Sequence, residues 1–186
     1  MAVHIHIPDE ILLAWEERNT PIVKYPDPVL RQIAEPVGKP DRAIRQLVDR
    51  MKEAMISANG IGLAAPQLGV SVRVIVYRLP DKDDSIRILI NPRILTKKGD
   101  QIGTEGCLSI PLLEGQVNRA NEIMVKGIDI LGRPIKRRAS EMEARVIQHE
   151  VDHLDGIMFF DKAQPETLGW LVEEKPEYGS EAALTD

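Results

Sequence analysis

An α+β fold, with antiparallel sheets packed around one central helix, is what three features of this 186-residue chain predict. Apolar residues recur at helical spacing in two well-bounded stretches and alternate with period two in several others. The regular succession of strand and helix that a doubly wound parallel sheet requires is missing. The length suits one domain with a continuous core.

Taken in order, residues 8–19 read as a short helix, Ile22-Val23-Lys24 as extended chain and Tyr25-Pro26-Asp27-Pro28 as a turn. Asp41 stands where a helix N-cap belongs, and Ile44, Leu47, Val48, Met51 and Met55 then repeat on one face until Asn59-Gly60 stops the run. The methionines there read as core filling. Val70, Val72, Val74 and Val76 alternate with their neighbours, and residues 86–90 form a second strand beyond a polar turn, so the two are expected to pair antiparallel. Residues 121–131 and 134–138 flank Gly132-Arg133 as another hairpin.

Ser140-Glu141-Met142-Glu143 has the form of a capping box, with the Ser140 hydroxyl and the Glu143 carboxylate each serving the other's amide. In the helix that follows, Ala144, Ile147, Val151 and Leu154 gather on one side, while Met142, Val146, His149 and His153 gather on the other. A helix apolar on two faces belongs at the centre of the molecule, and Gly156 is placed to end it in a left-handed conformation. From Gln164 onward the chain is acidic and broken by Pro165 and Pro176, a tail expected to be partly helical or without fixed structure.

A net charge of −5 and the lack of any basic run argue against a protein that wraps nucleic acid or lies on anionic lipid. The first twenty residues carry Asp9, Glu10, Glu16 and Glu17 and no long apolar stretch, unlike a secretory signal or transit peptide, and no segment approaches a membrane span. Cys107 is the only cysteine, which excludes an internal disulfide and makes a reducing compartment, the cytoplasm, the expected setting.

The chemistry centres on His149-Glu150-Val151-Asp152-His153. Two imidazoles four residues apart on a helix project from one face and can grip a single metal ion, with Glu150 beside them as a general base. This makes the central helix a metal-binding one. Asp152 and Asp155 read as solvated carboxylates, with orientation of the ligands as the alternative role. A catalytic ion held by two histidines needs a third protein ligand and an open position. Cys107, in Glu105-Gly106-Cys107-Leu108-Ser109, is the favoured candidate and Glu173, twenty residues beyond His153, its rival. A third stretch, Gly60-Ile61-Gly62-Leu63-Ala64-Ala65-Pro66-Gln67, combines glycines that permit close backbone approach with an uncharged amide at Gln67 able to donate to a developing oxyanion. It lacks the third glycine and the lysine of nucleotide loops.

Together these three segments, the last as Gln148-His149-Glu150-Val151-Asp152-His153-Leu154, resemble the peptide deformylase family in content, order and spacing. The resemblance extends from about Ile22 through Lys162 and includes Tyr25-Pro26-Asp27-Pro28-Val29-Leu30-Arg31. It implies a catalytic domain over 22–162, preceded by an extension of 1–21 and followed by an acidic tail of 163–186. It implies metal-dependent hydrolysis of the N-formyl group from the formylmethionine that begins new polypeptides, releasing formate. By position Cys107, His149 and His153 would hold the metal, Glu150 would act as acid and base, and Gln67 with the Leu108 amide would receive the oxyanion. Ferrous iron is the expected ion, with zinc, nickel or cobalt able to take the same ligands.

For the substrate, Ile61, Met142 and Val146 are expected to line the methionine slot, and the Gly60, Ile61 and Gly62 backbone to pair with the peptide as an added strand. Glu114 is expected near the mouth of that groove. The partners implied are N-formylmethionyl nascent peptides, with transient ribosome association and without sequence-specific nucleic-acid binding or a membrane; a monomer is expected. The acidic tail does not suit docking on ribosomal RNA through a basic C-terminal helix. Two other functions compete: a zincin-type endopeptidase that uses Glu173, and a module with a closed structural metal.

Overall fold

The structure, a computed structural model, describes residues 4–16, 20–79 and 83–171. Among the described residues three α-helices, α1 (Asp9–Glu16), α2 (Arg42–Ser57) and α3 (Glu141–Leu154), accompany eight strands. These are β1 (Gly62–Ala64), β2 (Val74–Leu79), β3 (Asp83–Lys98), β4 (Gln101–Cys107), β5 (Ile110–Arg119), β6 (Glu122–Ile128), β7 (Pro134–Ser140) and β8 (Gly169–Trp170). One sheet has the order β1-β2-β3-β6-β7 and the other β4-β5-β8, all pairs antiparallel. The α+β class and its antiparallel sheets about a central helix follow the expectation.

The period-two rule explains why the larger sheet carries a helix on each face. Ile75 and Tyr77 of β2 point into one core with Ile147, Val151 and Leu154 of α3, whereas Val74 and Val76 point into a second core with Leu47, Val48, Met51 and Met55 of α2. Each fully buried aliphatic side chain contributes about 1.5–3 kcal/mol relative to exposure, so α3 is held chiefly by this packing. A third core, with Ile110, Leu113 and Val117 of β5, Tyr25, Leu30, Phe159 and Phe160, also takes up Ile11 and Trp15 of α1.

The Asp41 cap forms, accepting from the Ile44 amide at 2.9 Å. The helix α3 begins at the expected residue and Gly156 adopts φ +70 after it, but the capping box does not form. Ser140 makes no side-chain cap bond, and Glu143 instead accepts from the Tyr77 hydroxyl at 3.0 Å, a buried tertiary partner that outcompetes a local one. Residues 22–24 join no strand; Val23 and Tyr25 donate to the carbonyls of Gln67 and Ser109, so this stretch ties together two of the motif segments. Val70 and Val72 lie outside β2, and β4, β5 and β1 were not anticipated as strands. Among the described residues no helix is long and apolar enough to cross a membrane. Of the tail, only residues up to 171 are described, and Glu173 lies outside them.

Candidate metal centre

The smaller sheet brings its sulfur to α3. Cys107 ends β4, Leu108 and Ser109 form the turn, and β5 returns antiparallel from Ile110. Cys107 Sγ lies 3.2 Å from His153 Nε2, and ligand atoms of Cys107, His149 and His153 all fall within 4.8 Å of one another. The two imidazoles stand edge to face with centroids 5.0 Å apart, as i and i+4 positions on one helix face require. A thiolate and two imidazoles suit a borderline or soft divalent ion, and three protein ligands leave a coordination position open. The buried Nδ1 of His153 lacks a hydrogen-bond partner among the described residues, so none of them draws the ring from the cluster through that nitrogen.

His149 is oriented from behind. Its Nδ1 lies 2.9 Å from Glu105 Oε2, and because a carboxylate only accepts, that nitrogen carries a proton and Nε2 is the atom left to face the cluster. Glu105 in turn accepts from Arg119 Nε at 2.9 Å, Arg119 Nη2 at 2.8 Å and Arg145 Nη1 at 2.6 Å. Arg119 also bonds Asp152, and Asp152 accepts from Lys162 Nζ at 2.6 Å. Burial alone would raise the Glu105 carboxyl, yet the bonds from Arg119 and His149 outweigh it and hold it well below the usual carboxylate range. Asp152 is thus no solvated carboxylate: it is buried as a link in this ion network, while Asp155 bonds Arg73 at 2.7 Å.

Sequence reasoning assigned no role to Glu105, Arg119 or Arg145. A signal existed for the first, since Glu105 and Cys107 are two apart on a strand and so face the same side. None existed for the arginines, whose partners are 14 and 40 residues away.

Glu150 is buried, and burial pushes its carboxyl up to about 7 against the opposing charge of His149. Among the described residues its Oε2 has no hydrogen-bond partner, so none of them competes for a proton there. The Gln67 side chain is fixed at both ends: Oε1 accepts from the Ala64 amide at 2.9 Å, which directs Nε2 to Ser109 Oγ at 3.1 Å and Cys107 Sγ at 3.5 Å.

These groups open onto a cleft of about 720 Å³ lined by Gly60, Ile61, Gly62, Gln67, Cys107, Leu108 and, from α3, Met142, Val146, His149 and Glu150. All the expected site residues except His153 thus line the cleft, and His153 is buried beneath it at 1% exposure. Glu114 is absent from the lining; it faces Gly106 and Gly169 across the smaller sheet. On the opposite wall β1 is an edge strand. Arg78 N–H donates to the Ile61 carbonyl, so the alternation of the ladder turns the Gly62 N–H and C=O away from β2, toward the cleft. Gly60 is less available, since its N–H donates to Met55 O and its carbonyl accepts from Arg78 Nε.

Comparison with known proteins finds the sequence pattern of the polypeptide deformylases over residues 19–168. The peptide deformylase of Dictyoglomus thermophilum is 47% identical over 154 residues, which span 83% of this chain and 97% of that protein. A crystal structure of a peptide deformylase from Legionella pneumophila superposes with a TM-score of 0.74 at 37% identity, covering 78% of this chain and 86% of that one. The Met-Ala-Ser-bound class I type b peptide deformylase of Acinetobacter baumannii gives 0.73 at 36% identity, covering 77% and 97%.

Proposed function

Because the chain belongs to the polypeptide deformylase family and hydrolyses the N-formyl group from newly made polypeptides, we propose that Cys107, His149 and His153 hold its metal ion and that Glu150 is its acid and base. The observation that carries this reading is the convergence of one sulfur and two imbedded imidazoles from separate elements beside a buried carboxyl with an unpartnered oxygen. When bound, a divalent ion supplies Lewis-acid activation of water and of the formyl carbonyl. Ferrous iron is our reading of its identity, with zinc, nickel or cobalt as substitutes.

The protein's own groups do the rest. Glu150, poised near neutrality, accepts a proton as water attacks the formyl carbon and returns it to the amine nitrogen as the C–N bond breaks. Gln67 Nε2 and the Leu108 amide donate to the oxygen that gains negative charge. Because Gln67 is clamped by Ala64 and Ser109, its donor needs little reorganisation as that charge develops. Glu105 keeps His149 in the tautomer that presents Nε2 to the ion.

For the substrate, Ile61, Met142 and Val146 form the methionine slot, and the backbone of the Gly60 to Gly62 stretch, chiefly the outward groups of Gly62, pairs with the peptide as an added strand. Such main-chain pairing reads any sequence beyond the first residue. The Acinetobacter relative bound to Met-Ala-Ser supports a peptide of that kind as ligand. Our reading takes residues 22–162 as the catalytic unit of a monomer that works in the cytoplasm and meets nascent chains with transient ribosome contact. Anaerobically purified protein given formyl-Met-Ala-Ser is expected to release formate in proportion to its metal content. Metal-loaded protein that releases none refutes the reading.

A further inference from the structure

We propose that Trp15 is a positioning residue of the substrate cleft: the indole of α1 holds the Pro111-Leu112 stretch of the cleft rim, so the segment ahead of the family match takes part in peptide selection. This rests on the deformylase reading above. Trp15 lies outside residues 19–168, yet it is 7% exposed and its Nε1 donates to the Pro111 carbonyl at 3.0 Å, 96 residues away in the chain. Its ring packs against Trp170 of β8, with centroids 6.3 Å apart and planes tilted by 56°. The next residue, Leu171, donates to the Leu112 carbonyl at 2.7 Å. Consecutive carbonyls of the rim are thus held by two elements that also hold each other, one from each end of the chain.

The rim needs holding. Leu112 sits at φ +69, a left-handed conformation that a leucine keeps only where its surroundings over-determine it. Pro111 and Leu112 both line the cleft that contains Cys107 and Leu108, and they lie beyond them, past Ser109 and Ile110, on the β5 arm of the same hairpin. Neither is a residue assigned to the metal or to the proton transfers, so releasing them alters how the peptide is seated and leaves the proton transfers to Glu150 unchanged. A tryptophan that merely filled the core would not bear on the peptide at all.

Trp15→Phe keeps an aromatic ring in the core and removes the N–H. The expected result is a KM for formyl-Met-Ala-Ser raised about fivefold, the worth of one hydrogen bond, with kcat and metal content at wild-type values. Trp15→His, which retains a ring N–H, is expected to recover part of that loss. An unchanged KM, or a fall in kcat without a change in KM, overturns the proposal whatever happens to the melting temperature. Should W15F not fold, Trp170→Leu, which withdraws the support of the indole from the other side, is expected to show the same split, and its absence there counts equally against the idea. Failure of the deformylase reading is distinguishable, because the wild-type chain itself then releases no formate. In that case the Kd of Met-Ala-Ser for wild type and W15F still decides: equal affinities overturn the role of Trp15.

Discussion

Gly62 and Glu150 are in such close contact that a Cβ built on the glycine falls 2.2 Å from Glu150 Oε1 and 2.8 Å from its Cδ. The edge strand and the central helix therefore meet with the Glu150 carboxylate resting on a bare Cα. The glycine was expected to admit a peptide backbone; it also makes room for the Glu150 side chain, our proposed acid and base.

Gly62→Ala should consequently displace Glu150 while leaving the ligand cluster in place. We expect kcat to fall by about a hundredfold or more, the usual worth of a positioned acid–base group, with metal content unchanged. Steady-state assay together with metal analysis checks this; full activity in G62A would mean that the carboxylate does not need its observed position.

Glu105→Gln removes the carboxylate shared by His149, Arg119 and Arg145. Buried Arg145 loses its carboxylate partner and Arg119 keeps only Asp152, and breaking such a network costs about 3–5 kcal/mol of stability. Loss of the partner that orients a ligating histidine should also lower metal affinity by about 10–100-fold. Since Glu105 is held below its unfolded value of 4.5, the stability it contributes is complete above that pH and is lost as the pH falls below it. Urea melts across the acid range should therefore show a steep decline for wild type and a shallower one for E105Q; parallel curves would contradict this assignment.

Gln67→Leu leaves shape and charge nearly intact while deleting one donor to the oxyanion. Such a loss is worth on the order of 3 kcal/mol in the transition state, or about two orders of magnitude in kcat. KM is expected to change little. Wild-type turnover by the purified variant would remove Gln67 from the mechanism.

Metal uptake should expel protons. Set by the protein's groups alone, burial lowers His149, but the nearby Cys107 and Glu105 outweigh that and raise it to about 10, which favours a proton on the ring that a metal must displace. Calorimetry of metal addition in buffers of different ionisation enthalpy should report the release of about one proton or more per ion. In Cys107→Ser both the uptake and the release should be lost. A heat that is independent of buffer would show that the ligands start deprotonated.

Much of this was legible in the linear chain because the relevant signals are local. The α2 run from Ile44 to Met55, its Asp41 cap and the 149/153 pair are i, i+3 and i+4 relationships that hold wherever the helix sits. The hairpin of β6 and β7 is likewise carried by its own turn. The β4 and β5 strands were missed because their pattern is masked by function: Glu105, Cys107, Arg119 and several glycines occupy positions where a strand normally shows apolar alternation. The capping box failed for a related reason, since Tyr77 claims the Glu143 carboxylate from across the core.

Residue order alone was thus sufficient to point to the α+β class, to a helix with His149 and His153 on one face and, through the resemblance of three motifs, to the reaction. Only three-dimensional packing decided that Asp152 is buried, that Glu105 governs the tautomer of His149, that Gly62 underlies Glu150 and that Trp15 reaches Pro111. Local periodicity depends on neighbours within one turn or one pleat and survives in the linear text. Ion pairs and close approaches join residues 10 to 96 positions apart, and their energies exist only after folding has excluded water between them.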